Sequence, residues 1–181
     1  QFACQTAARH KERHLLRVLV FSTLYPNQAQ PNHGVFVENR LRHTLAQGGI
    51  DATVLAPVPW FPSRNPAFGR YAQFAGVPRQ ETRHGLTIYH PRYPVIPKVG
   101  SRFTPAFLYR AARRTLDKLA RAGVPKFDLI DAHYFYPDGV AAARLARDLN
   151  IPLLITGRGT DLTLILQSAP ERAQIQWAGR Q

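Results

Sequence analysis

The fold is decided by residues 127–142, which read FDLIDAHYFYPDGVAA. The apolar stretch 128–132 predicts a short buried strand, and the Pro-Asp-Gly sequence after it predicts a turn that leads into a helix. His133 therefore stands where the strand ends, and open α/β sheets bind ligands outside the carboxyl ends of their strands. This position makes His133 the leading candidate site residue.

The same alternation of strands and helices continues outward along the chain. Residues 16–22 and 53–56 read as strands around a helix that carries Val37, Leu41 and Leu45 on one face. The remaining predicted elements are strands at 86–90 and 153–156 and helices from 104 to about 123 and from 139 to 149. Right-handed crossovers then give an α/β fold, a Rossmann-like doubly wound parallel sheet with helices on both faces.

Two segments break the alternation. Residues 57–85 are rich in Pro, Gly and aromatic side chains, and we expect them to be too irregular for a helix. Residues 91–97 form a second proline-rich loop. Long loops at this edge of a sheet usually carry function, so both are candidate ligand-binding segments.

Composition limits the class of protein. The chain of 181 residues is 45% hydrophobic, enough for one core, and no stretch is apolar for long enough to span a membrane. The net charge of +13 favours a polyanionic partner such as nucleic acid, an anionic membrane or a phosphorylated ligand. Cys4 is the one cysteine, which excludes a disulfide framework and fits a reducing cytoplasm.

Several other residues at the predicted strand ends could bind a ligand. Gly34 precedes a helix whose first backbone N–H groups favour phosphate, or it serves as a turn or N-cap. Arg158 could pair with phosphate, and Asp161 could either face a ligand or cap a helix. His133 could bind hydroxyls, act as an acid or base, or be a structural histidine. Asp138 is interpreted as a turn or cap residue.

A metal site is not expected. No second His or carboxylate stands at a spacing that suggests a ligand set with His133, and we expect Asp131 to point to the opposite face of the strand from its nearest alternating neighbours. The G-x-G-x-x-G dinucleotide fingerprint is also missing after the first strand, which argues against an NAD-dependent oxidoreductase.

One face of the predicted helix 104–122 is basic, with Arg110, Arg114, Lys118 and Arg121 in one stripe. Such a stripe is either solvated or a docking surface for an anionic membrane or acceptor.

In four segments the chain resembles glycosyltransferase family 4, whose members are retaining enzymes of the two-domain GT-B fold. The matching segments are STLYP at 22–26, HGVFV at 33–37, FDLIDAH at 127–133 and ITGRGTD at 155–161. The resemblance is strongest to bacterial members that build surface polysaccharide. It implies that residues 16–181 form the N-terminal, acceptor-side domain, that residues 1–15 are a disordered or non-native tail, and that the donor-binding domain lies outside this chain.

The resemblance also implies roles for individual residues. His133 is expected to contact the donor sugar and to stabilise the leaving diphosphate of a UDP- or GDP-sugar, without a metal or other cofactor. Gly34, Arg158 and Asp161 are candidate donor or phosphate ligands. However, His33 stands where a second glycine is common, and Arg158 stands where many members have His. Candidate acceptor-binding residues in the loops 57–85 and 91–103 and after the His133 strand are Trp60, Phe61, Arg92, Tyr93 and Tyr134.

The resemblance further implies the partners of the protein. They are a nucleotide-sugar, a glycan or lipid-linked acceptor, the chain's own C-terminal domain and an anionic membrane at the inner face of the plasma membrane. The competing hypothesis is a non-enzymatic polyanion-binding module, supported by the charge. Nucleic acid is the weaker partner because the chain has no recognisable nucleic-acid motif.

Overall fold

A computed structural model of the chain describes residues 15–95, 101–163 and 165–181. The tail predicted for residues 1–15 lies outside the described residues except for Leu15. The eight strands of the described part are β1 (Leu16–Phe21), β2 (Ile50–Leu55), β3 (Val58–Pro59), β4 (Gln80–Arg83), β5 (Leu86–Tyr89), β6 (Arg92–Tyr93), β7 (Leu129–His133) and β8 (Leu153–Thr156).

Six α-helices accompany these strands in the described ranges. They are α1 (Val35–Ala46), α2 (Arg70–Gly76), α3 (Thr104–Arg121), α4 (Val140–Leu149), α5 (Thr160–Thr163) and α6 (Ala169–Ala178). None of the helices in this part of the chain has the length and the apolar character needed to cross a membrane.

The main sheet has the strand order β4-β5-β2-β1-β7-β8, and every neighbouring pair is parallel except β4 with β5. The order of the parallel strands reverses between β1 and β7, which are direct neighbours. This reversal is the topological switch point of a doubly wound fold, where a crevice opens at the carboxyl ends of the strands. The predicted α/β, Rossmann-like fold is confirmed.

The two faces of the sheet bury separate cores because side chains alternate along each strand. On one face, Leu19 and Phe21 of β1 pack in a cluster that α3 and α4 cover, with Leu108 and Leu145 at its centre. On the other face, Val18 and Val20 pack with α1. The predicted face of α1 is confirmed: Val37 and Leu41 are buried, and Leu45 packs against the same cluster.

The prediction that residues 57–85 are too irregular for a helix is wrong. The segment holds α2, a 3₁₀ turn at Pro66–Phe68 and the strands β3 and β4. α2 forms within the proline-free stretch between Pro66 and Pro78. β4 is a polar strand joined to β5 by a tight hairpin. The two turn residues, His84 and Gly85, have φ values of 49° and 79°, as a type I′ turn requires.

Candidate active site at the switch point

The first residues of the site come from the two strands at the switch point. β7 ends at His133, whose side chain is 2% exposed. β1 ends at Phe21, and the hydroxyl of the following Ser22 donates to the carbonyl oxygen of His133 at 3.3 Å. The predicted meeting of the strand-end loops is therefore seen at the centre of the sheet.

Two guanidinium groups converge on the imidazole of His133. Nη2 of Arg158 lies 3.0 Å from Nδ1, and Nη1 of Arg40 lies 3.3 Å from the same atom. Because a guanidinium can only donate, Nδ1 accepts, and the proton of a neutral ring is on Nε2. Nε2 lies 3.4 Å from Oδ2 of Asp131. We call Arg40, Asp131, His133 and Arg158 the arginine cluster.

Two members of this cluster, Arg40 and Asp131, were not predicted from the sequence. The expectation for Asp131 is wrong: it lies on the same side of β7 as His133, as residues two apart in a strand must. Arg40 comes from α1, where it also donates to Oγ1 of Thr156 at 3.0 Å. In the structure Arg158 stacks at 4.8 Å over the ring of Phe36, which precedes Arg40 by one helical turn. No motif in the sequence marks Arg40 for this site.

Gly34 is the N-cap residue of α1, with a φ of 69°. A Cβ at this position would lie 2.3 Å from the carbonyl carbon and oxygen of Leu24, so the loop after β1 can approach α1 only at a glycine. In the same loop Nε2 of His33 lies 3.1 Å from the carbonyl oxygen of Thr23. Gly34 therefore has a steric role here, and its contact with phosphate stays a prediction.

Asp161 is fully buried and ties together the two loops that flank His133. One carboxylate oxygen accepts from the backbone N–H of Phe135, and the other accepts from that of Arg158 at 2.9 Å. Both oxygens are thus occupied by the protein. Asp161 positions Arg158 in this structure, and its role as a direct ligand stays a prediction.

Asp138 links the loop after β7 to the loop after β1. Its Oδ2 accepts from the backbone N–H and the hydroxyl of Thr23 at 2.7 and 2.9 Å. Its Oδ1 is buried and has no hydrogen-bond partner within the described residues. Burial raises the pKa of the Asp138 carboxyl to about 7, although the hydrogen bonds from Thr23 and Ser22 oppose this shift. Asp138, which was predicted as a turn or cap residue, is therefore also a buried hydrogen-bond acceptor that links the two loops.

The candidate acceptor residues divide between surface and interior. Trp60 is 55% exposed, whereas Tyr93 is buried in the core. Phe61 packs against the rings of Phe68 and Tyr71, with centroids 5.2 and 5.3 Å away.

Arg92 and Tyr134 are held by the fold itself. Arg92 donates to the carbonyl oxygens of Phe74, at 2.8 Å, and of Val77. Its pKa is lowered, first by burial and then by the nearby charges of Arg79 and Arg64. Tyr134 follows His133 with a φ of 83° and is partly buried.

A cleft of about 360 Å³ opens between the loops that follow β1 and β2. Its wall contains no Lys, Arg, Asp or Glu, and we call it the neutral cleft. The residues that line it are Thr23, Leu24, Tyr25, Asn27, Gln30, His33, Ala56, Pro57, Val58, Pro59, Phe74 and Tyr93.

A larger groove, of about 590 Å³, lies elsewhere on the chain. It is lined by residues of α3, α4 and α6, among them Arg144 and Trp177, and by none from the strand-end loops. Size alone therefore does not select the site, and the convergence of polar groups at the switch point does. The residues that the structure describes contain no group of three or more His, Cys, Asp or Glu that could hold a metal ion.

Two sequence comparisons match this chain to glycosyltransferases. The sequence model of a family described as Glycosyltransferase Family 4 matches residues 37–180. The chain is 28% identical over 156 residues to the teichuronic acid biosynthesis glycosyltransferase TuaC of Bacillus subtilis (strain 168), whose own assignment is provisional. That alignment covers 82% of this chain and 38% of TuaC.

Among solved structures, the chain is similar to the crystal structure of Glycyrrhiza uralensis UGT73P12 complexed with glycyrrhetinic acid 3-O-monoglucuronide. The TM-score is 0.39 and the identity 14%, over 86% of this chain and 32% of that one. The chain thus spans 38% of the length of the curated relative and 32% of the length of this solved chain.

Proposed function

Because the chain belongs to glycosyltransferase family 4, we propose that it is the acceptor-side domain of a retaining GT-B glycosyltransferase. The complete enzyme moves a sugar from a UDP- or GDP-sugar to a glycan or a lipid-linked acceptor. Two facts support a missing second domain: the chain covers only 38% of TuaC, and its own sheet is a single doubly wound unit. The assignment of TuaC to teichuronic acid biosynthesis supports an acceptor of the surface-polysaccharide class.

The observation that carries this proposal is the placement of the arginine cluster at the switch point. In the proposed reaction the bond from the anomeric carbon to the diphosphate oxygen breaks, and a bond to the acceptor oxygen forms on the same face. The leaving diphosphate takes the proton of the acceptor hydroxyl. Cationic donors aimed at the developing phosphate charge, together with the positioning of both substrates, then supply most of the rate enhancement.

The acceptor side of the proposed reaction is assigned to the neutral cleft. Ser22 bonds to the carbonyl of His133, and the next residue, Thr23, lines the cleft, so the cleft adjoins the arginine cluster. Among the candidate acceptor residues, Tyr93 borders the cleft directly. Trp60 donates its backbone N–H to the Tyr93 carbonyl at 2.7 Å, so the backbone of this exposed residue is bonded to a residue of the cleft wall.

The decisive experiment measures turnover of UDP- and GDP-sugars by the full-length protein that contains this chain. His133→Ala is expected to lower kcat roughly 10²- to 10⁴-fold, the range seen when a positioned polar group is lost from a reacting centre. His43→Ala is the matched control, because His43 is exposed on α1. Undiminished turnover in folded His133→Ala would contradict the proposal, and appreciable turnover by the 181-residue chain alone would contradict the two-domain organisation.

A membrane surface is the proposed location of the complete enzyme. The stripe Arg110, Arg114, Lys118 and Arg121 is exposed along α3, opposite the buried Leu108, Leu116 and Leu119. We expect the full-length protein to sediment with vesicles that contain anionic lipid and to stay in solution with neutral vesicles. Replacement of all four stripe residues with Gln should abolish the difference, and an unchanged difference would remove this face from the proposal.

A generic polyanion-binding module is the second candidate function, favoured by the net charge of +13. It predicts binding to random DNA with a steep dependence on salt. Such binding without any sugar-nucleotide turnover by the full-length protein would select it.

A further inference from the structure

The arginine cluster has more hydrogen-bond donors than acceptors. Arg40 and Arg158 both approach Nδ1 of His133, which has one lone pair to offer. Nε of Arg158 is buried and has no hydrogen-bond partner among the described residues. Nε and Nη2 of the partly exposed Arg40 side chain form no hydrogen bond with the described residues. The buried Oδ1 of Asp131 also has no partner in the described part of the chain. A buried donor without a partner is costly, so Nε of Arg158 calls for a further acceptor.

The charges of the cluster are also unbalanced. Two guanidinium groups face one carboxylate in the cluster, and Oδ2 of Asp131 forms a long ion pair with Nη1 of Arg40 at 3.9 Å. The other nearby carboxylate, Asp161, is bound to backbone N–H groups and not to a guanidinium in the described residues. Like charges held together around one imidazole attract an anion.

Accessibility distinguishes the members of the cluster. The Arg40 side chain is 42% exposed, whereas those of Asp131 and His133 are 17% and 2% exposed. An anion that enters the cluster therefore meets a guanidinium first and the imidazole only afterwards. This order bears on the expected contact of His133 with a donor sugar, since both ring nitrogens face protein groups in this structure.

We propose that Arg40 and Arg158 form a clamp for a diphosphate group, and that the incoming diphosphate draws Arg40 away from Nδ1 of His133. The ligand class follows from the donors: two planar guanidinium forks match the several oxygens of a diphosphate better than they match a single monoanion. The inference rests on the proposed function only for the origin of the diphosphate. The clamp itself consists of residues of this chain and requires no second domain.

Calorimetric titration of the 181-residue chain with inorganic pyrophosphate, at constant ionic strength, tests the clamp. Arg40→Gln is expected to weaken binding roughly tenfold or more, as the loss of a charge-assisted contact does. Arg42→Gln is the matched control: it removes the same charge from an exposed position on the same helix and should change the Kd less than twofold. Equal losses in the two variants, or no binding by the wild type, would overturn the clamp.

Nitrogen NMR of the His133 ring gives a second readout that does not depend on affinity. Pyrophosphate should shift the Nδ1 resonance of the wild type, because one of its two donors leaves. The shift should be much smaller in Arg40→Gln, which has already lost that donor. A wild-type Nδ1 resonance unmoved by saturating pyrophosphate would show that Arg40 only positions the imidazole, which also overturns the proposal.

Two further arms separate the sources of the diphosphate. UDP represents the donor and geranyl diphosphate represents a lipid-linked acceptor. The ligand whose affinity falls more in Arg40→Gln identifies the source of the diphosphate that the clamp binds. The failures are distinguishable as well. Arginine-dependent pyrophosphate binding with undiminished turnover in His133→Ala would leave the clamp standing without the proposed function, and the reverse result would leave the function without the clamp.

Discussion

The arginine cluster and the neutral cleft lie side by side at one edge of the sheet, yet they offer opposite chemistry. The cluster gathers two cations around a buried ring, whereas the wall of the cleft combines apolar residues with amides, a hydroxyl, aromatic rings and the imidazole of His33, and contains no Lys, Arg, Asp or Glu. The proposed transfer would use both, since the leaving diphosphate carries negative charge and the accepting hydroxyl is neutral. Under the proposed function, we therefore expect the phosphate end of the reaction at α1 and the loop after β8, and the hydroxyl end at the loops after β1 and β2.

The largest expected effect concerns Asp138, the tie between these two regions. Its pKa in the folded chain, about 7, lies above the unfolded value, so the protonated carboxyl stabilises the fold at low pH. That contribution is lost as the pH rises from about 4 through about 7, to a limit of roughly 4 kcal/mol, because each pKa unit is worth about 1.4 kcal/mol. Asp138→Asn stays neutral and should not show this loss.

Thermal unfolding of both proteins between pH 4 and 8 measures the effect. The stability of the wild type relative to Asp138→Asn should fall steadily up to about pH 7 and then level off. A relative stability that does not vary with pH would show that Asp138 is ionised throughout.

A somewhat smaller effect is expected at Gly34, which lets the loop of the neutral cleft approach the helix that carries Arg40. Gly34→Ala should destabilise the fold by on the order of 3 kcal/mol, since its Cβ would meet the Leu24 backbone at 2.3 Å. Gly48→Ala is the control. Gly48 has a similar φ of 78° but no atom within 4 Å of the added Cβ, so only about 1 kcal/mol is expected. Equal losses in urea unfolding would contradict the steric argument.

The smallest expected effect sharpens the assignment of the neutral cleft. Gln30 lines the cleft, and Gln30→Ala in the full-length protein should raise the acceptor KM roughly three- to tenfold, the equivalent of one lost neutral hydrogen bond. The donor KM should not change. Gln28→Ala is the control, because Gln28 is exposed in the same loop and outside the cleft wall. A change in the donor KM alone would show that the cleft binds the donor and not the acceptor.

Most of the sheet could be predicted from the sequence because apolar residues recur in its strands and helices with the expected periodicity. β8 begins and ends where its pattern predicts, and β1, β7 and α4 do so within one residue. The wrong prediction for residues 57–85 has a physical cause. β4 is made of the polar residues Gln-Glu-Thr-Arg, and it forms because the hairpin turn sets it beside β5, which no local pattern reveals.

The candidate site was less predictable than the fold. His133 could be found because its strand defines its position, and alternation should have placed Asp131 beside it. Arg40 reaches the site because α1 lies beside the end of β8, where Thr156 accepts from it. Arg40 and His133 are 93 positions apart in the chain, so no local pattern could show that they meet. The sequence suggested Arg158 and Asp161 but could not show that the second positions the first.

The strand order at the switch point also bears on how the chain folds. Ser22 and His133, which share a hydrogen bond, are 111 positions apart, and so their contact carries a large loop-closure entropy. We expect each strand-helix-strand unit to form from nearer neighbours and the site to appear only when the two units dock. We expect pulse-labelling hydrogen exchange to find the Thr23 amide, bonded to Asp138, protected late in refolding. A chain that has not finished folding would then have no reactive centre to expose.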